Sequence, residues 1–122
     1  MPESSHPLLK DKTDNVMWKL CRIHELFREK DVEVPGQLVS VFCFIASHNP
    51  CHMQAIQEAL SMSSNSVSRN TDWLSSHHRL GKAGMGLITK KADAIHLRRK
   101  ILRLTDKGHD MIKQIKEILD GD

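Results

Sequence analysis

The sequence predicts a mainly α-helical fold with one small β-hairpin, and two observations carry that expectation. Apolar residues recur at helical spacing in five separate stretches, with capping residues or breakers between them. Before the last stretch, two short runs with β-favouring residues, "GLITKKA" and "RRKILRLT", follow the glycine-bearing "HHRLGKAGMG". At 122 residues, 39% apolar and 27% charged, the chain has material for one modest core, and we expect a single domain over 1–122.

In the first stretch Val16, Leu20, Ile23 and Phe27 share one helical face, widened by Trp18 and Cys21. Asp14 is placed to cap this helix, which spans about 13 to 30. "DVEVPGQ" interrupts it. Pro35 suits the first turn of a second helix, where Leu38, Phe42 and Ile45 are flanked by Val39, Cys43 and Ala46. Being apolar nearly all round, this helix belongs at the centre of the fold. "SHNP" ends it, and a third helix fits 51–60 with Met53, Ile56, Ala59 and Leu60 inward.

The serine-rich "SMSSNSVSRN" has the composition of a flexible linker. Its surroundings argue otherwise, because Val67, Thr71 and Leu74 hold helical spacing through it and Met62 precedes them as a buried anchor. We therefore expect a fourth helix over 63–76, capped by Ser63 or Ser64. A hairpin over 86–104 follows, with "DAIHL" as its turn, although "KADAIHLRRKIL" is also compatible with a helix by propensity. Thr105 caps a fifth helix whose Met111, Ile112, Ile115, Ile118 and Leu119 make a broad apolar side.

Charge is unevenly spread. Residues 1–62 hold six Lys/Arg against eight Asp/Glu, and residues 63–122 hold twelve against seven. Between 79 and 103 lie Arg79, Lys82, Lys90, Lys91, Arg98, Arg99, Lys100 and Arg103, opposed by Asp93 alone. A local cationic block on a nearly neutral chain suits a polyanion met by one face; the bland alternative is a solvated basic loop.

Two short helices joined by the tight "SMS" turn and followed by a basic hairpin make a winged helix-turn-helix. The second helix of such a pair enters the major groove of DNA. Ser63, Ser64, Asn65, Ser66 and Ser68 are short polar groups that permit close approach, and Arg69 adds reach; arginine pairs with guanine and asparagine with adenine. These six are the candidate base-reading residues. Arg79, Lys82, Lys90, Lys91, Arg98, Arg99 and Lys100 are the candidate contacts to phosphates and the minor groove.

From about Val34 onward the chain resembles the MarR transcriptional regulators. The resemblance is carried by "SMSSNSVSRNTDWL", "GLITKKAD" and "LRRKILRLTDKGHDMI". Leu104, Thr105 and Gly108 match the family's Leu-Thr-x-x-Gly, and Arg98 matches its wing arginine. His96 stands where the family's wing has the acidic partner of that arginine, leaving this support absent or supplied by Asp93. "SSHHRLGKAGM" is longer than the family's usual passage into the wing by about eight residues. One C-terminal helix stands where many members have two.

The resemblance implies a dimeric DNA-binding repressor reading a palindromic operator. Its dimerisation helices would lie at about 13–34 and 105–122, and its DNA-binding core and wing at about 35–104. Val16, Leu20, Ile23, Phe27, Ile112, Ile115 and Leu119 are the candidate dimer interface; the simpler alternative is that these stripes pack on each other within one chain. Nothing in the residues points to a small-molecule effector.

Other function classes are poorly served. Adjacent pairs at Cys51–His52 and His77–His78 do not place two metal ligands on one helical face, and CxxC spacing is missing. Asp72 with His77 or His78 could be drawn as an acid–base pair, but no nucleophile or phosphate-loop motif accompanies them. We expect no enzyme, metal or cofactor. Cys21, Cys43 and Cys51 read as buried reduced thiols, with Cys21 or Cys51 the candidates for redox sensing. With no apolar run of roughly 20 residues and no signal-like N-terminus, we expect a soluble cytoplasmic protein. A winged-helix docking module of the transcription or replication machinery, or a DNA-binding replication factor, remains open as the alternative function.

Overall fold

The computed structural model describes residues 14–31, 33–76, 81, 83–96 and 98–121. Its elements run α1 (Asn15–Lys30), α2 (Gly36–Ser47), β1 (Cys51–His52), α3 (Met53–Leu60), α4 (Ser64–Leu74), β2 (Ile88–Ala92), β3 (Lys100–Leu104) and α5 (Asp106–Asp120). The mainly helical architecture with a hairpin is the one the apolar spacing implied.

Caps set the helix starts. The Asp14 carboxylate accepts from the N–H groups of Val16 and Met17, and the Ser63 hydroxyl accepts from Ser66 N–H. Thr105 Oγ1 accepts from Gly108 N–H. Each satisfies a donor that the first helical turn leaves without a backbone partner. Pro35 stands one position earlier than expected, as the N-cap residue of α2. Between α3 and α4 the chain turns through Ser61, which adopts the left-handed conformation (φ 51°), while Met62 N–H donates to the Gln57 carbonyl. That is the tight turn expected at "SMS".

The core forms where α2 meets α4, α3 and β3, and where α1 packs on α5. Leu38, Val41, Phe42 and Ile45 of α2 are fully buried, and Phe27 of α1 sets its ring edge-on to Phe42 at 5.6 Å. Cys43 lies on the opposite side of α2 from this stripe and is exposed, as is Cys21 on α1. Only Cys51 fits the expectation of a buried thiol. Its pKa is raised by that burial, which disfavours the reactive thiolate. Ala59 is also exposed, because the inward stripe of α3 runs through Met53, Ile56 and Leu60.

The sheet has the order β1-β3-β2, all pairs antiparallel. β1 corrects the expectation of a helix starting at 51. Cys51 pairs with Leu102 and His52 with Ile101, an arrangement invisible to periodicity because a two-residue strand has no period to show. "KILRL" is strand rather than helix: it pairs with β2 along its whole length and with β1 at Ile101 and Leu102, and Leu102 is buried at the centre of the sheet.

The segment leaving α4 returns directly to it. Gly84 N–H donates to Ser76 O, Met85 N–H to Trp73 O, Gly86 N–H to Ser75 O and Leu87 N–H to Leu74 O. These bonds satisfy carbonyls that the end of a helix leaves unpaired. The two ends of the α4-to-wing passage, at 73–76 and 84–87, are therefore tied together. A Cβ at position 84 would collide with the Ser75 carbonyl, so the return requires glycine.

Candidate nucleic-acid interface

α4 buries Val67, Asn70, Thr71 and Leu74 and exposes Ser64, Asn65 and Arg69. Its orientation is set by polar ties on the buried side. Trp73 Nε1 donates to Asp31 Oδ2 at 3.1 Å, and Asn70 Nδ2 donates to Gln37 Oε1 at 3.3 Å and to Ser66 O at 2.8 Å. The helix is thus pinned to the end of α1 and the start of α2.

Ser63, Ser64, Asn65 and Arg69 are exposed, and Ser66 and Ser68 are half-buried. The polar groups are linked. Ser63 Oγ donates to Ser66 Oγ at 3.1 Å, and Arg69 Nη2 donates to the same oxygen at 3.3 Å. Arg69 is therefore held against the leading turn of the helix. Ser68 instead turns toward the wing, where Lys90 Nζ donates to its hydroxyl and carbonyl at 3.4 Å each.

The wing closes through Asp93 N–H to Arg99 O and Arg99 N–H to His96 O. Lys91, Arg98, Arg99, Lys100 and Arg103 are exposed along it. Lys90 departs from this set: its side chain is only 14% exposed and its ammonium lies 2.9 Å from Asp72 Oδ1. Asp72, sketched from sequence as an acid–base partner for His77 or His78, meets this ammonium. Arg79, Lys82, His77 and His78 lie outside the described residues.

Asp93 serves the wing turn and β1. Its carboxylate accepts from His52 Nε2 at 2.7 Å and from the backbone N–H of Ile95 at 2.8 Å. These bonds, led by the one from His52, hold the Asp93 carboxyl at about 2, below the usual carboxylate range. His52 was missed as a functional candidate because its partner is 41 positions away. Asn49, also missed, accepts from Leu104 N–H through Oδ1 at 3.0 Å and steadies the base of the wing.

The Leu-Thr-x-x-Gly residues have a mechanical role. Thr105 Oγ1 caps α5 and also donates to Gly86 O at 2.6 Å. Gly108 is buried against the Leu87 carbonyl, with no room for a Cβ. Together they seat α5 at the base of the wing.

On α1 and α5 the candidate interface divides in two. Ile23 and Phe27 belong to the chain's own core, and Ile112 and Ile115 are half-buried. Val16, Leu20 and Leu119 stay 63%, 46% and 51% exposed, with Met17 beside them at 55%. Packing of the two helices within one chain thus accounts for only part of the apolar surface. Among the described residues no group of three His, Cys, Asp or Glu gathers as metal ligands would, and no helix is long and apolar enough to cross a membrane.

With this geometry in place, comparison with solved structures is decisive for the fold. The chain is similar to a mutant MarR from E. coli complexed with operator DNA, at 18% identity over 90% of this chain and 80% of that one, with a TM-score of 0.59. This is the MarR-type winged-helix fold. Reduced AbfR bound to DNA is similar at 18% identity over 84% of this chain and 73% of that one, TM-score 0.59. The transcriptional repressor CouR, bound to a 23-mer DNA duplex, follows at 21% identity over 85% and 69%, TM-score 0.58. No protein-family model and no curated protein matches the sequence.

Proposed function

We propose that the chain is a sequence-specific regulator of transcription that binds double-stranded DNA. α4 enters the major groove, and the wing lies on the neighbouring minor groove and phosphates. The observation that carries this reading is the placement of the basic wing directly beside the polar face of α4, with β2 packed on that helix. The presence of DNA with the MarR, AbfR and CouR neighbours supports it.

In this reading Ser63, Ser64, Asn65 and Arg69 meet base edges, and Lys91, Arg98, Arg99 and Lys100 meet the backbone. Two copies join through the apolar surface left open at Val16, Leu20 and Leu119, and the dimer represses by occluding a promoter. Selection of bound duplexes from a random DNA pool tests the whole reading. A palindrome with half-sites about one helical turn apart is the expected product. Binding without enrichment overturns sequence specificity. No binding to any duplex at low salt overturns DNA binding itself and favours a protein-docking role for the same fold.

A further inference from the structure

We infer that Lys90 and Asp72 are positioning residues that fix the angle between the wing and α4. The inference rests on the DNA-binding reading above.

Lys90 is two residues from Ile88 and opposite Leu102, which are 2% and 0% exposed, so its stem lies on the inner face of the sheet. Lys91, one position on, is exposed. The Lys90 ammonium comes out at α4, where it meets Asp72 Oδ1 at 2.9 Å and the carbonyl and hydroxyl of Ser68 at 3.4 Å. An ammonium has three N–H donors, and three acceptors face it here.

This geometry is unsuited to a phosphate contact. A lysine serving a phosphate extends its ammonium into solvent, whereas this one is 14% exposed and already bonded. It is well suited to a strut. The wing is attached to α4 near its base by Met85 N–H to Trp73 O and Leu87 N–H to Leu74 O. β2 is also held through β3 to β1 and by His52 at Asp93, and the Lys90 contact, farther along the strand, adds the tie that sets its tilt directly against α4. Asp72 and Ser68 are four apart on α4, so the ammonium is held by two successive turns of one helix face. The wing cations and Arg69 can then reach DNA together only at the spacing this strut sets.

Asp72 supplies the sharpest test, because loss of a carboxylate beside a polyanion site should by itself tighten DNA binding. The probes are a duplex recovered from the random pool and a mixed-sequence duplex. We expect Asp72→Asn to weaken binding to the recovered duplex, and Lys90→Gln to weaken it roughly tenfold with an unchanged salt slope. The double variant should be no weaker than Lys90→Gln, and Lys90→Arg should retain most of the affinity. Melting temperatures identify any variant that fails to fold, in which case Lys90→Met, which keeps the buried stem, replaces Lys90→Gln. A salt slope reduced by about one in Lys90→Gln would make Lys90 a phosphate contact and overturn the inference. Tighter binding by Asp72→Asn would overturn it as well. Failure of the unsubstituted chain to bind either duplex would overturn the DNA-binding reading and the inference with it, and that result is separate because it precedes any substitution.

Discussion

His52 Nε2 donates to Asp93 Oδ2 across 2.7 Å, joining the short strand before α3 to the turn of the wing. Together with the Ile95 N–H bond, it holds the turn residue that follows β2 from both sides. The Asp93 carboxyl is lowered to about 2, so its contribution to the folded state is fully present above the usual carboxylate pKa and is lost as pH falls through about 2. Carboxyl-detected NMR should show Asp93 titrating at about 2, below the usual carboxylate range. In His52→Ala, where the donor of that bond is gone, its titration should move upward. A titration unchanged by that substitution would remove His52 as the leading cause.

Gly108 and Gly36 should respond to alanine in opposite directions. At Gly108 a Cβ meets the Leu87 carbonyl, so Gly108→Ala must push α5 off the wing and should cost about 2 kcal/mol. Gly36 opens α2 with nothing within 4 Å of a Cβ, so Gly36→Ala should stabilise by about 0.5 kcal/mol through the unfolded chain. Urea unfolding of the two variants checks both signs.

Thr105 holds two bonds at once, to Gly108 N–H and to the Gly86 carbonyl. Thr105→Ala should lose about 1–2 kcal/mol, and Thr105→Ser should lose much less because the hydroxyl survives. Equal losses in thermal melts would mean that the methyl, not the hydroxyl, matters.

Arg69 and Arg98 should separate in their effects on DNA. Arg69→Ala should reduce discrimination between a selected duplex and a scrambled one, while Arg98→Ala should weaken both alike and lower the salt slope by about one. Fluorescence anisotropy at several salt concentrations distinguishes these outcomes. A parallel loss on both duplexes for Arg69→Ala would place it on the backbone.

Leu20 is 46% exposed, so a charge there should leave the chain folded. Leu20→Glu should therefore give a monomer by sedimentation velocity, where the unsubstituted chain sediments as a dimer, and should weaken binding to a two-half-site duplex. An unsubstituted chain that sediments as a monomer would remove the dimer from the reading.

The sequence by itself determined the helices, their caps and the tight turn at Ser61, because these depend on residues within a few positions of one another. Asp14 and Thr105 cap as their spacing implies, and of the two serines offered for α4 it is Ser63 that caps. The serine-rich stretch was likewise legible as a helix start, since Val67, Thr71 and Leu74 carried a period through it. What only the tertiary structure decided were the relationships across the chain. β1 exists because Cys51 finds Leu102, and the Asp93 carboxylate is taken up by His52 and the wing turn. Lys90 looks like its basic neighbours in a list of charges, yet the pleat turns it inward to Asp72. The apolar stripe of α1 divides in the same way: Ile23 and Phe27 enter the core, and Val16 and Leu20 stay outside it. Local spacing specifies which face of an element a side chain shares. Which partner that face meets depends on how distant segments pack.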